Sequence, residues 1–133
     1  MPQPNASLEL QYRVQDADLA SKVALDGRDA FPEVFATSRM VALMEVAAAR
    51  LLAPELGAGQ LSVGVEVEIK HTAATAVGES VTAKATFLGM EGKFYRFSVE
   101  LFDAAGLAGS GYHTRAIIDS QRLLDGARKR RAA

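Results

Sequence analysis

Three side chains in this sequence could together perform acyl transfer: Thr37, Glu45 and His71. A carboxylate serves as a base or a nucleophile, and burial moves its pKa up toward the working pH. An imidazole relays a proton or polarises a carbonyl near neutrality. A hydroxyl orients a water or an acyl group, and the free N–H groups of a helix N-terminus can hold a developing oxyanion. Each residue also has a plainer reading: a helix cap for Thr37, a satisfied core residue for His71, and a solvent-facing helix position for Glu45.

Glu45 draws its weight from its surroundings. Thr37–Leu52, TSRMVALMEVAAARLL, is built of helix formers with no interior Gly or Pro, and Pro54 follows. Thr37 or Ser38 can cap its start. Apolar side chains point almost all round it, which predicts a helix buried on every side. The neighbours of Glu45 at three and four positions are Val41, Ala42, Ala48 and Ala49, none of which can pair with a carboxylate. Within such a helix Glu45 needs a polar partner from another segment or a place on a cleft.

His71 closes the cleanest strand pattern. Leu61, Val63, Val65, Val67 and Ile69 alternate with Ser62, Gly64, Glu66, Glu68 and Lys70, placing His71 in line with the apolar set. Around these two elements the chain reads as sheet. Leu8–Val14 alternates as a strand, residues 15–30 are irregular with a short strand possible at Lys22–Leu25, and Pro32 allows a helical turn before the long helix. After His71 come a connection, a strand at Val81–Phe87, a turn at Gly89–Gly92, a strand at Tyr95–Leu101, and a last strand at Leu107–Asp119. Gly109 and Gly111 leave room where a backbone or a ligand approaches closely.

The 133 residues make one domain. Residues 1–6 read as disordered, 7–120 as the folded domain, and 121–133 as a basic tail or short helix, with five basic side chains against Asp125. No apolar run approaches a membrane span. The opening lacks a basic start followed by an apolar stretch, and there is no Cys, so a cytoplasmic protein without disulfides or thiolate chemistry is expected. A net charge of −1 argues against nucleic acid as a partner. His71 and His113 have no carboxylate at ligand spacing, so no metal site is expected. One helix serving five strands leaves sheet edges to protect, and a homodimer would protect them.

The runs Phe31-Pro32-Glu33-Val34-Phe35-Ala36-Thr37, Met40-Val41, Leu43-Met44-Glu45 and His71-Thr72-Ala73-Ala74-Thr75, with Gly78 and Gly109-Ser110-Gly111, His113 and Arg115, resemble the hotdog-fold thioesterases of the fluoroacetyl-CoA thioesterase type. The resemblance covers about residues 8–120. It implies an α+β hotdog fold, an antiparallel sheet wrapped around one long central helix, in a homodimer or higher oligomer that hydrolyses a short or small acyl-CoA. It also implies Thr37, Glu45 and His71 as the catalytic set, Gly64 and Arg115 as ligand contacts, and Phe31 and Phe35 at the acyl pocket. No metal or other cofactor is implied, coenzyme A being part of the substrate. The family's fluoroacetyl-selective members carry an aromatic-rich lid before the helix, whereas Asp26–Phe31 here supplies Phe31 alone, with Arg28 where a second aromatic would stand. Two other readings accompany this one: a hotdog dehydratase of hydroxyacyl thioesters, and an acyl-CoA-binding module without catalysis.

Overall fold

Alternating apolar and polar side chains fold five segments of the chain into one antiparallel sheet. The computed structural model describes residues 1–132. Its strands are β1 (Ser7–Arg13), β2 (Gln60–His71), β3 (Ser80–Glu91), β4 (Phe94–Asp103) and β5 (Gly106–Asp119), in the order β1-β3-β4-β5-β2. Helix α1 (Thr37–Leu52) lies in the concave face, and α2 (Ser120–Ala132) continues from β5. This is the hotdog arrangement that the sequence led us to expect. Among the described residues no helix is long and apolar enough to cross a membrane.

The core forms where α1 meets β3 and β4. Met40, Met44, Ala47, Ala48 and Leu52 are buried against Val81, Ala83, Ala85 and Phe87 of β3 and Phe97, Val99 and Leu101 of β4. The alanines on both surfaces let helix and sheet approach closely, and the Phe87 and Phe97 rings meet edge to face at 5.8 Å. Fully burying each large side chain contributes roughly 1.5–3 kcal/mol.

Several local expectations are corrected. The helix is buried on one face only: Thr37, Ser38, Arg39, Val46 and Arg50 are exposed, so Glu45 is not enclosed within this chain. The N-cap is Ala36, whose side chain makes no capping bond, and Thr37 is the first helical residue. Its hydroxyl is therefore free for other work. Residues 31–36 form no helical turn, being drawn out by a bridge between Phe35 and Leu19, and Ala20–Val23 is a 3₁₀ turn rather than a strand. Residues 1–6, expected to be disordered, form a turn held by Asn5 N–H on the Phe87 carbonyl and by Phe87 N–H on that of Ala6. The tail is helical as far as it is described, and Ala133 lies outside the described residues.

The correction with most consequence lies in β2. Its pairing with β5 shifts between Gly64 and Glu66, making Val65 the extra residue of a β-bulge. The period of two restarts there. Ser62 and Gly64 consequently share the helix-facing side with Val67, Ile69 and His71, which unbroken alternation would forbid. The outer edge of β2 has no strand partner among the described residues, and Leu61, Val65 and Val67 are about half exposed.

Asp18 anchors the segment that leads into α1. It is 1% exposed and accepts from the Tyr12 hydroxyl (2.6 Å), the Gln15 N–H (2.8 Å) and Arg39 Nε (2.9 Å). Burial alone would raise its pKa, but the bonds from Tyr12, Gln15 and Arg39 outweigh it and hold the carboxyl below its ordinary value. A depressed carboxylate stabilises the fold above the unfolded pKa, about 3.9, and that contribution is lost as pH falls through the folded value. We expect Asp18→Asn to cost about 2 kcal/mol at neutral pH, the scale of hydrogen bonds to a charged group. Chemical denaturation of both proteins from pH 7 into acid checks this: the gap between them should close below about pH 4.

Candidate active site

The entrance of α1 and the end of β2 build one half of the site. Thr37, relieved of capping, places Oγ1 2.8 Å from His71 Nδ1. The other ring nitrogen, Nε2, is buried without a hydrogen-bond partner among the described residues. Burial pushes the His71 pKa down, so the ring is held neutral. A neutral imidazole fixed at one nitrogen and unpartnered at the other is poised to exchange a proton or hydrogen-bond with a reacting group.

A hollow of about 390 Å³ opens over this pair, lined by Phe31, Pro32, Val34, Phe35, Ala73 and Ala74 among others. Phe35 is 1% exposed and belongs as much to the core as to the hollow, while Phe31 stands half exposed at its rim. The wall after His71 is tied down by Thr72 Oγ1 donating to the Ala108 carbonyl and by buried Thr75 Oγ1 donating to Asp103. Phe35 N–H in turn donates to the Thr75 carbonyl, fastening the wall to the start of α1. At that start no side chain caps the N–H groups; those of Arg39 and Met40 donate to the Ala36 carbonyl, leaving Thr37 and Ser38 as the open donors.

The second half lies two turns further along α1. Glu45, whose side chain is 43% exposed, accepts from Arg115 Nη1 at 3.3 Å. Arg115 answers the search for a partner that the local helix could not supply. Its side chain is only 7% exposed and is bound on every branch. Nε donates to Ser62 Oγ at 3.0 Å, Nη2 to the Ser62 carbonyl at 3.0 Å, and Nη1 also to His113 Nε2 at 3.0 Å. A Cβ on Gly64 would stand 3.3 Å from the His113 ring and 3.4 Å from both Glu45 carboxylate oxygens, so a side chain there would crowd the ring and touch the carboxylate. A hollow of about 380 Å³ borders Glu45, Arg115, Val41, Ala42 and Ala49.

His113 is 1% exposed, and its two bonds fix its protonation. Nδ1 lies 2.8 Å from the Glu66 carbonyl, which only accepts, so Nδ1 carries the hydrogen. Nε2 faces a guanidinium, which only donates, so Nε2 holds a lone pair. Burial is the main influence lowering the His113 pKa, and the Arg115 cation acts in the same direction.

Within one chain the residues singled out from sequence thus fall into two clusters: Thr37 and His71 with Phe31 and Phe35, and Glu45 with Gly64 and Arg115. The hollows over them share no lining residue. Eight helical residues separate Thr37 from Glu45, roughly 12 Å along the axis. Sequence reasoning left Ser62 and the structural part of His113 unread. The bulge puts Ser62 on the inner face, and nothing in the alternation signals it. Gly109 and Gly111 serve packing: a Cβ on Gly109 would meet Met40 Sδ at 2.5 Å, and one on Gly111 would collide with the Glu68 carbonyl.

The model of the family described as FlK, fluoroacetyl-CoA-specific thioesterase, matches residues 14–121. A fluoroacetyl-CoA thioesterase of Streptantibioticus cattleyicolor is 43% identical over 93 residues, 70% of this chain and 67% of that protein. A crystal structure of a variant of the fluoroacetyl-CoA-specific thioesterase FlK, in complex with fluoroacetate and CoA, superposes with a TM-score of 0.84 at 33% identity, covering 91% of this chain and 98% of that one. The fold recurs at 22% identity in a thioesterase superfamily member from Thermus thermophilus, with a TM-score of 0.88 over 99% of this chain and 95% of that one.

Both histidines are held neutral, so the folded chain binds fewer protons than the unfolded one once pH falls below about 6.5, the ordinary imidazole value. Stability should be flat above that pH and decline below it. Imidazole resonances followed by NMR titration should show His71 and His113 protonating at lower pH than a free histidine.

Proposed function

The chain belongs to the fluoroacetyl-CoA-specific thioesterase family, and on that footing we propose that it hydrolyses a short or small acyl-CoA to free acid and coenzyme A, at a site shared between two copies of the chain. The observation that carries the site is the Thr37–His71 pair, its Nε2 buried and unpartnered beside a hollow. Glu45 supplies the carboxylate, either removing a proton from the attacking water or attacking the acyl carbon itself. His71 meets the reacting group through Nε2, with its ring orientation set by the Thr37 hydroxyl. The free N–H groups that open α1 stabilise the negative charge developing on the thioester oxygen. Phe31 and Phe35 line the space for the acyl group, and Gly64 and Arg115 hold the substrate end nearer Glu45.

A homodimer brings the two clusters together. β2 is an edge strand of 12 residues, with the Gly64–Glu45–Arg115 cluster toward one end and His71 at the other. Antiparallel pairing of β2 with its own copy, about a two-fold axis near Val67, sets the Glu45 end of one protomer against the partner's His71. The same pairing covers Leu61, Val65 and Val67 and satisfies the edge. The Cys-free chain fits a cytoplasmic setting.

Two experiments test this reading. Glu45→Gln should lower thiol release from acyl-CoA per folded molecule by at least the ~10²–10⁴-fold attributable to a general base, with a lowered melting temperature because the buried Arg115 loses its counter-charge. His71→Ala should also be inactive. Mixing the two inactive proteins and allowing exchange should restore about a quarter of wild-type activity, since half the dimers are mixed and each carries one intact pair of half-sites. Mixtures that stay dead while forming dimers would show that each site lies within one chain.

Selectivity follows from the sparse rim. Arg28 is 89% exposed at its side chain and ion-paired to Asp26 at 2.8 Å, leaving Phe31 as the one aromatic of that segment at the hollow. Competition between fluoroacetyl-CoA and acetyl-CoA should give a preference of no more than about 10–200-fold, the range for one small group in an apolar pocket. A many-thousand-fold preference would overturn this.

A further inference from the structure

We propose that His113 is a positioning residue for the reaction: acting through Arg115, it fixes which oxygen of Glu45 is tied to the protein and which is left for chemistry. The inference rests on the reading of Glu45 as the reacting carboxylate. Its basis is the chain of contacts from the Glu66 carbonyl to His113 Nδ1–H, from His113 Nε2 to Arg115 Nη1, and from the same Nη1 to Glu45 Oε2.

The decisive atom is Nη1. It carries two hydrogens, and the structure gives one to His113 and one to Glu45. Arginine and a carboxylate ordinarily pair in a fork, with two parallel bonds that occupy both oxygens. Nε and Nη2 are held by Ser62, so Nη1 is the branch left to face Glu45. His113 engages one of its hydrogens and turns the guanidinium away from the fork. Arg115 then binds Oε2 alone, and Oε1 has no hydrogen-bond partner among the described residues. A carboxylate tied at one oxygen is oriented and yet retains a lone pair for a water proton or an acyl carbon.

No other aromatic or aliphatic residue would do this at position 113. The site needs a donor toward the Glu66 carbonyl and an acceptor toward Arg115, two bonds apart in one rigid plane, which the neutral Nδ1–H tautomer supplies. The carbonyl it holds belongs to the residue just past the bulge, so the ring also pins the bulge to β5.

The test is a double-mutant cycle in thiol release. His113→Leu should reduce kcat by roughly ten- to a hundredfold, the scale of a misplacement of about 1 Å, with little change in KM. His113→Gln should recover most of that loss, because its amide offers a donor and an acceptor at similar spacing. On the Glu45→Gln background, His113→Leu should cause no further loss, since the group it positions is already gone. An equal loss on both backgrounds would mark His113 as merely structural and overturn the inference. So would wild-type kcat per folded molecule in His113→Leu. If Glu45→Gln itself turns over normally, the reading of Glu45 falls and this inference with it. Should His113→Leu fail to fold, nitrogen NMR of the unmutated protein still decides. It should show Nδ1 protonated and Nε2 bare at neutral pH, and the opposite tautomer or a cation would overturn the proposal.

Discussion

A guanidinium buried between helix and sheet is the constraint to which the rest of this site answers. Removing a cation from water is costly unless every donor finds an acceptor. Arg115 finds them in the Ser62 hydroxyl and carbonyl, in His113 and in Glu45. Each acceptor requires something of the backbone. Ser62 reaches the inner face only because β2 bulges at Val65, and Gly64 leaves the cluster its room, since a Cβ there would press on the His113 ring at 3.3 Å and touch both Glu45 oxygens at 3.4 Å. His113 accepts only while the Glu66 carbonyl holds its proton on Nδ1. The bulge, the glycine, the tautomer and the carboxylate thus form one solution to one electrostatic problem. Changing any of them leaves a buried charge short of a partner.

The architecture was legible in the sequence because each element announces itself locally. The composition of Thr37–Leu52 marks a helix, the alternation in the strands marks a sheet with one wet face, and the matched runs around Glu45 and His71 mark the family. What could not be read was non-local. The apolar residues around α1 suggested burial on all sides, yet a single chain covers one face and leaves Val46 exposed beside Glu45. The partner of Glu45 lies 70 positions away on β5, beyond any helical spacing rule. The bulge was hidden for another reason. Val63, Val65, Val67 and Ile69 continue the apolar alternation straight through it, and only the pairing with β5 reveals the slip.

Thr37 shows how a propensity rule and a tertiary contact compete for one side chain. A threonine at a helix start normally turns its hydroxyl onto the backbone. Here Ala36 takes the cap position and leaves the first turn uncapped, while the hydroxyl goes to His71. The helix gives up about 1 kcal/mol of capping, and the entrance keeps its N–H groups open. Such a sacrifice of local stability at a site is common where function sets the geometry.

The open edge of β2 carries a consequence of another kind, in the dependence on quantity. If the half-sites are completed across that edge, as proposed above, the catalytic unit is a pair, and its abundance would follow mass action. Well below the dissociation constant, output would rise with the square of protein concentration instead of in proportion to it. Dilution would silence the protein without unfolding a single chain, and a substrate that bridges both halves would draw the chains back together. The amount of enzyme present, usually a passive multiplier, would then act as a control.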